Sequence, residues 1–132
     1  MTDRVTIITP TYNNADYLAE TIENVLSQDY ANIEYIVLDD GSSDETPRIL
    51  SQYSDRIISE SHVNMGEART VNKGFGMATG QFVMVVNGDD PLLPKAISTQ
   101  VAYMQAHPDV LATYPDWLEI DEHSEPFMEV KA

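Results

Sequence analysis

Short apolar runs alternate with amphipathic stretches along the first 114 residues of the chain. β-Branched and aromatic runs predict strands, and apolar residues that recur at three- and four-residue spacing between them predict helices. The predicted strands are Val5–Thr9, Tyr35–Leu38, Arg56–Ser59, Phe82–Val86 and Val110–Tyr114, and the predicted helices begin after Asn13–Asn14, after Ser43–Asp44, at Met65 and at Pro94. This alternation is typical of an α/β fold with an open, doubly wound, mostly parallel sheet.

The run Phe82–Val86 is the most apolar of these strands and lacks polar alternation. Strands that are covered on both faces lose that alternation, so we expect this strand at the centre of the sheet. After Tyr114 the pattern becomes shorter and more polar, which predicts two small strands around a turn at His123–Ser124. We therefore interpret residues 1–132 as a single domain, with a core α/β unit at 1–114 and the start of a further region at 115–132.

Composition narrows the classes of function. The chain has 132 residues, no cysteine and a formal net charge of -15. This length suits one domain, and the lack of cysteine excludes disulfides and thiolate-bound metals. So acidic a surface would repel nucleic acid and anionic lipid. The N-terminal segment lacks the apolar core of an export signal, and no apolar run is long enough to span a bilayer, so we expect a cytoplasmic protein.

Polar residues follow the first, second and fourth predicted strands. Ligands bind outside the carboxyl ends of the strands in an open parallel sheet, so these loops are expected to form one site. Together the loops supply Tyr12, Asp39, Asp40, Asp89 and Asp90. A carboxylate cluster is costly unless cations or hydrogen-bond donors accompany it. Hard oxygen ligands favour Mg²⁺ or Mn²⁺, so the cluster predicts a divalent metal.

The usual glycine-rich phosphate loops are absent from the sequence. Neither G-x-G-x-x-G nor G-x-x-x-x-G-K-[ST] occurs in it. Phosphate binding is therefore expected to depend on the metal. This favours a ligand that contains a diphosphate, and it leaves the loop of Asp40 for the other end of a nucleotide.

Four ordered motifs carry a resemblance to a known family. They are VTIITPTYNNADYLAETIENVLSQDY, IEYIVLDDGSSDET, NMGEARTVNKGFGMATGQFVMVVNGDDPLLP and HPDVLATYPDWLEID. From Val5 to about Asp121 the chain resembles, in register, the family 2 glycosyltransferases. The resemblance implies a Rossmann-like GT-A fold that binds a nucleotide-diphosphate sugar. It also implies transfer of the sugar, usually from a UDP-sugar, to a hydroxyl of a glycan or lipid-linked acceptor in cell-envelope polysaccharide biosynthesis.

The resemblance further implies roles for residues at the nucleotide end of the site. Tyr12, two residues after Pro10, would flank the nucleobase. Asp40 would accept a hydrogen bond from the ring N–H of the base, and Asp39 would support its loop. Arg69, on the predicted third helix, could face the diphosphate, although a surface role is an equal alternative for this residue.

The family's D-x-D-D element maps onto Asn87, Gly88, Asp89 and Asp90. The resemblance implies that the first position contacts the ribose or a metal-bound water and that Asp89 binds the metal. Asn87 departs from the family because an aspartate is usual there. An asparagine still forms hydrogen bonds but brings no negative charge, so we expect weaker metal binding, with Asp90 compensating.

The chain is also shorter than family members, which continue into a half that carries the acceptor site and the general base. Asp116, Glu119 and Asp121 are the remaining candidates for that base, and solvated turn residues are the competing interpretation of all three. Two hypotheses stay open: an active glycosyltransferase, or a catalytically incomplete nucleotide-sugar-binding module. Apolar surface left uncovered by a missing half would favour a homodimer.

Overall fold

The computed structural model describes residues 2–131. Its strands are β1 (Val5–Thr11), β2 (Ile33–Asp39), β3 (Ile58–Ser61), β4 (Phe82–Val85), β5 (Trp117–Ile120) and β6 (Pro126–Val130). Its helices are α1 (Ala15–Leu26), α2 (Thr46–Ser51), α3 (Glu67–Met77) and α4 (Ala96–Ala106). The described residues form two compact units that divide after Ser98. No helix within residues 2–131 is both long and apolar enough to cross a membrane.

The first four strands form one parallel sheet in the order β3-β2-β1-β4. β1 pairs with β2 from Val5↔Ile33 to Thr11↔Asp39, and with β4 from Val5↔Phe82 to Ile8↔Val85. Parallel neighbours need crossover connections, which the intervening helices provide. The predicted α/β architecture with a parallel sheet is therefore confirmed. The first four predicted strands and the four predicted helices are all present, with ends that differ by a few residues.

β1 lies at the centre of the hydrophobic core, and all seven of its residues are buried. Successive side chains of a strand point to opposite faces of the sheet, so both faces of β1 are covered. Ile8 faces α3, because a β-carbon at Gly74 would lie 2.5 Å from Ile8 Cγ2. α1 buries Leu18, Ile22 and Val25, as its apolar spacing predicts.

The expected position of the fourth strand is wrong. β4 forms an edge of the four-stranded sheet, beside β1. Val83 and Val85 are 38% and 42% exposed, so one face of this strand is open. The unbroken apolar run was therefore no sign of burial on both faces here, and it carries no information on which strands pair beside it.

The second unit contains an antiparallel hairpin of β5 and β6. Its turn closes with hydrogen bonds from the Asp121 N–H to the Glu125 carbonyl and from the Ser124 N–H to the Asp121 carbonyl, both 3.0 Å. The two small strands predicted around His123–Ser124 are confirmed. The fifth strand predicted at Val110–Tyr114 is wrong: this segment has no strand, and Leu111 is 93% exposed. A β-branched run forms a strand only where a neighbouring strand pairs with it.

Two glycines of α3 provide a matched test of how this helix packs. A β-carbon at Gly74 would meet Ile8 Cγ2 at 2.5 Å, whereas one at Gly76 would have no atom within 4 Å. We expect Gly74→Ala to destabilise the protein by about 1–3 kcal/mol through overpacking. Gly76→Ala is expected to be neutral or to stabilise by about 0.5–1 kcal/mol, because alanine favours helix. Urea unfolding of both variants measures the difference, and equal stabilities would contradict this packing of α3 on β1.

Candidate functional site

The carboxyl ends of β1, β2 and β4 meet at one edge of the sheet and open into a cleft of about 450 Å³. The alignment of these ends continues beyond the strands. The Asp40 N–H donates to the Thr11 carbonyl at 2.9 Å, and the Val86 N–H donates to the Ile8 carbonyl at 2.9 Å. The residues that line the cleft are Pro10, Thr11, Tyr12, Asn14, Asp40, Asn64, Gly66, Glu67, Asn87 and Asp89.

The loops that follow β1 and β2 are joined by side-chain hydrogen bonds. The Asn13 N–H donates to Ser42 Oγ at 2.9 Å, and Asn13 Oδ1 accepts from the Ser43 N–H at 2.8 Å. Asn13 adopts a φ of 50°, in the left-handed region that asparagine tolerates. Asp44 accepts from the Ala15 N–H at 3.1 Å and from the Thr46 N–H at 2.9 Å, so one carboxylate serves the first turns of both α1 and α2. These contacts fix one wall of the cleft.

Asp40 is the most completely bonded side chain of the cleft. Its carboxylate accepts four hydrogen bonds: at Oδ1 from the Met65 N–H (2.7 Å) and His62 Nε2 (3.1 Å), and at Oδ2 from the Gly66 N–H (3.0 Å) and Asn64 Nδ2 (3.1 Å). An ionised carboxylate has about four lone-pair positions, so the chain itself fills them all. Asp40 therefore holds the 64–66 segment, which supplies Asn64 and Gly66 to the lining of the cleft.

The pKa of Asp40 is lowered, so hydrogen bonding outweighs burial at this carboxylate. Burial acts to raise the pKa, but the backbone N–H groups of Met65 and Gly66, with Thr70 and His62, stabilise the charged form and lower the pKa below its ordinary value of 3.8. Asp40 is 4% exposed. The cleft therefore contains a nearly buried carboxylate that stays ionised at neutral pH.

Asp39 has a supporting position beneath the cleft and is not among its lining residues. It is 1% exposed. Its Oδ1 accepts from the Ser42 N–H at 3.0 Å, and its Oδ2 accepts from Ser61 Oγ at 3.1 Å. Asp39 thus connects the loop after β2 with the end of β3, in keeping with the supporting role that the resemblance implies for it.

The turn that follows β4 presents Asn87 and Asp89 to the cleft. Asn87 Nδ2 donates to Asp90 Oδ2 at 3.1 Å, and the Asp90 N–H donates to the Asn87 carbonyl at 3.1 Å. Gly88 is required by close approach, since a β-carbon there would lie 2.8 Å from Thr11 Oγ1. Its carbonyl accepts from Thr21 Oγ1 at 3.0 Å. Asp90 thus orients Asn87 instead of lining the cleft itself.

The remaining candidates divide between the cleft and the surface. Pro10 and Tyr12 line the cleft, and Tyr12 is 51% exposed at its rim. Arg69 is an exposed residue of α3 and does not belong to the lining. Sequence reasoning did not single out Asn64, Gly66 or Glu67. A signal existed for Gly66, which is a glycine at the start of the predicted third helix; it adopts a φ of 91° immediately before α3.

The late acidic candidates belong to the hairpin unit. Asp121 Oδ1 accepts from the His123 N–H at 2.9 Å and from the Glu125 N–H at 3.0 Å, so this side chain organises the turn between β5 and β6. Asp116 Oδ2 lies 3.4 Å from Lys131 Nζ, just beyond the other end of the same hairpin. Both carboxylates therefore have structural partners within their own unit.

The charge of the cleft bears on what it can bind. Its described lining includes Asp40, Glu67 and Asp89 but no lysine or arginine. Lys73 Nζ is engaged by Glu60 Oε2 at 2.8 Å. A diphosphate would therefore need an added cation. Residues 2–131 contain no group of three or more His, Asp or Glu side chains arranged to hold a metal. The oxygen donors of Asp89 and Asp90 suit Mg²⁺ or Mn²⁺, which commonly bind through one or two carboxylates and substrate phosphates.

Comparison with known proteins identifies the family. The family model described as glycosyl transferase family 2 matches residues 6–123. The chain therefore belongs to glycosyl transferase family 2, as its motifs predict. EpsE of Bacillus subtilis (strain 168), which is named as a glycosyltransferase, is 39% identical over 109 residues, covering 79% of this chain and 39% of EpsE. The chain thus spans well under half the length of this relative.

Solved structures share the fold. A crystal structure of S. aureus TarS in complex with UDP-GlcNAc matches with a TM-score of 0.72 and 27% identity, covering 80% of this chain and 32% of that one. The mannosyltransferase PcManGT from Pyrobaculum calidifontis, in complex with GDP-Man and Mn²⁺, matches with a TM-score of 0.59 and 30% identity, covering 67% of this chain and 28% of that one. The predicted GT-A-type fold is confirmed.

Proposed function

We propose that the cleft binds a nucleotide-diphosphate sugar, a UDP-sugar first of all, together with Mn²⁺ or Mg²⁺, and that it forms the donor site of a glycosyltransferase. The observation that carries this proposal is the cleft at the carboxyl ends of β1, β2 and β4, whose acidic lining has no basic side chain. The similarity to TarS, solved with UDP-GlcNAc, and to PcManGT, solved with GDP-Man and Mn²⁺, supports it.

The nucleoside is assigned to the wall formed by Pro10, Tyr12 and the loop of Asp40. The half-exposed ring of Tyr12 offers an apolar face to a base. Because its own chain fills the lone-pair positions of Asp40, a base N–H must share one of them. The main role of Asp40 is therefore to shape the base pocket, and its role as a hydrogen-bond acceptor for the base N–H is secondary. Asp39 supports this loop from beneath.

The diphosphate and the sugar are assigned to the Asn87–Asp90 turn. The Asn87 amide offers a neutral hydrogen-bonding group to the ribose, and Gly88 allows the close approach of this turn to Thr11. Asp89, which lines the cleft, would hold the metal, and Asp90 beside it would add negative charge and orient Asn87. When bound, the metal would supply positive charge that stabilises the departing diphosphate. Arg69 is assigned a supplementary, solvent-exposed role in attracting the anionic donor.

The transfer itself requires an acceptor hydroxyl and a general base. The acceptor oxygen bonds to the anomeric carbon, the bond from that carbon to the diphosphate breaks, and the hydroxyl proton passes to a base. Asp116 and Asp121 are the base candidates in residues 115–132, proposed as the beginning of the acceptor side. Both take part in the hairpin, and the chain spans 39% of EpsE. These observations favour a second candidate function for these 132 residues taken by themselves, a donor-binding module that needs an acceptor-binding part supplied from elsewhere.

Turnover assays separate the two candidates. The chain is incubated with UDP-GlcNAc, UDP-glucose or UDP-galactose and Mn²⁺, with and without a panel of glycan and lipid-linked acceptors, and UDP release is measured. Release that depends on an acceptor, and that disappears in Asp89→Ala, supports the transferase. Binding of the donor without transfer to any acceptor supports the module. If neither UDP release nor donor binding is observed, the cleft has no affinity for nucleotide and the proposed function is wrong.

A further inference from the structure

The ring of His62 lies behind Asp40, away from the lining of the cleft. His62 follows β3 directly, and its N–H donates to the Asp39 carbonyl at 3.1 Å. Its side chain is 14% exposed and that of Asp40 is 6% exposed. His62 Nε2 lies 3.1 Å from Asp40 Oδ1 and 3.2 Å from Thr70 Oγ1, and Nδ1 lies 3.4 Å from Lys73 Nζ. The imidazole therefore connects α3 with the carboxylate that holds the 64–66 segment.

These partners allow one protonation state of the ring. The ionised Asp40 carboxylate can only accept a hydrogen bond. Nε2 must therefore carry the hydrogen. The Lys73 ammonium can only donate, so Nδ1 must be unprotonated. His62 is consequently a neutral imidazole in its Nε2–H tautomer.

Lys73 is itself held in place. Its Nζ is 2.8 Å from Glu60 Oε2, so the ammonium bridges a carboxylate of β3 and the Nδ1 lone pair of His62. The chain of contacts runs from Glu60 through Lys73 and His62 to Asp40. Every link pairs a donor with an acceptor, as the buried end at His62 and Asp40 requires, while the Glu60 side chain at the other end is half-exposed.

His62 contributes something that the other three donors to Asp40 do not. Asn64, Met65 and Gly66 are consecutive residues that lead into α3, whose N-cap is Gly66, so their bonds connect Asp40 to the very start of that helix. The imidazole, by contrast, comes from the end of β3 and meets α3 at least one turn further along, at Thr70 and Lys73. It therefore fixes the plane of the carboxylate relative to the helix, and through it the positions of Asn64 and Gly66 in the cleft.

We infer that His62, as the neutral Nε2–H tautomer held between Lys73 and Asp40, is a positioning residue for the nucleotide cleft. The effect on nucleotide binding rests on the proposed function. The local effect, an ordered 64–66 segment, does not depend on it. The positioning role of His62 and the proposed nucleotide-binding function can therefore be tested separately.

The test compares His62→Leu with His62→Gln, using the exposed His123→Gln as the matched control. Leucine removes both ring nitrogens, whereas the amide of glutamine restores a donor towards Asp40 and an acceptor towards Lys73. Amide hydrogen exchange at Met65 and Gly66 reports the segment, UDP affinity in Mn²⁺ reports the cleft, and a long-range ¹H–¹⁵N spectrum of the unmodified chain reports the tautomer. Thermal unfolding of each variant checks that it is folded.

We expect faster exchange at both amides and about tenfold weaker UDP binding in His62→Leu, equivalent to about 1.4 kcal/mol. His62→Gln is expected to stay within about threefold of the unmodified chain, and His123→Gln to be unchanged. A folded His62→Leu with unaltered exchange, or an Nδ1–H tautomer, would overturn the inference. If His62→Leu does not fold, the inference is tested by the tautomer of the unmodified chain and by the amide exchange and UDP affinity of His62→Gln. If the unmodified chain binds no UDP, the proposed function fails, while exchange and tautomer still test the positioning.

Discussion

Replacing Asp40 by asparagine is expected to destabilise the protein by about 3 kcal/mol and to abolish measurable nucleotide binding. The carboxylate accepts four hydrogen bonds and is 4% exposed. An amide of the same shape must turn an NH₂ group towards donors, for example the N–H groups of Met65 and Gly66. The 64–66 segment would lose its anchor, and the cleft would lose its shape. Urea unfolding and calorimetric titration with UDP measure the two effects.

Asp55→Asn is the matched control, since Asp55 is exposed and the substitution removes the same charge. It is expected to change stability by less than about 0.5 kcal/mol and to leave UDP affinity unchanged.

Acid unfolding provides a second test of the role of Asp40. The pKa of Asp40 is lowered in the folded state, so the stability that this group contributes is complete above its ordinary value of 3.8 and is lost as the pH falls through the folded-state value. The difference in stability between the unmodified chain and Asp40→Asn should therefore shrink below that pH. A constant difference would contradict the role assigned to the charge.

Asn87→Asp is expected to tighten the Mn²⁺-dependent binding of UDP by about tenfold. It is also expected to lower the stability of the folded chain when no metal is present. Asn87 Nδ2 donates to Asp90 Oδ2 at 3.1 Å. A carboxylate at position 87 removes this donor and sets two negative charges against each other, which destabilises the turn until a cation separates them. The same charge then strengthens metal binding. Thermal unfolding with and without Mn²⁺, together with calorimetry in both conditions, measures the two effects.

Asn72→Asp provides the control for net charge, because Asn72 is an exposed residue of α3 and the substitution adds the same negative charge outside the cleft lining. It is expected to leave the dependence of stability on Mn²⁺ unchanged. If Asn87→Asp and Asn72→Asp respond to Mn²⁺ alike, the turn after β4 is not the metal site. Equal UDP affinity of Asn87→Asp and the unmodified chain at a subsaturating Mn²⁺ concentration would likewise contradict the assignment.

Local patterns in the sequence predicted the part of the cleft that is formed by the loops after the strands. The apolar run before Asp39–Asp40 and the run before Asn87 each end in polar residues, and parallel strands place such ends at one edge. Strand order could not be predicted in the same way. Val83 and Val85 are as apolar as a central strand requires, yet β4 lies at an edge of the sheet. Val110–Tyr114 has strand composition but no strand beside it.

The opposite wall of the cleft depends on tertiary contacts that no local pattern reveals. Met65 bonds to Asp40 across 25 positions of the chain, and His62 across 22. The second helix was predicted to begin after Ser43–Asp44, but Asp44 also accepts from the Ala15 N–H at the start of α1. In each case one carboxylate accepts hydrogen bonds from a distant segment. The identity of the acid can be read from the sequence, but its partners depend on how the strands bring the loops together.

Calorimetric titration of UDP into the unmodified chain and into Asp89→Ala, each with and without Mn²⁺, tests the central claim most directly. The acidic cleft lacks basic side chains in its described lining, so UDP binding is expected to require Mn²⁺ in the unmodified chain and to be lost in Asp89→Ala. Asp89 is exposed, so this substitution should leave thermal stability unchanged. Failure of UDP to bind at millimolar concentration with Mn²⁺, or equal binding by both proteins, would contradict a metal-dependent nucleotide-sugar site at this edge of the sheet.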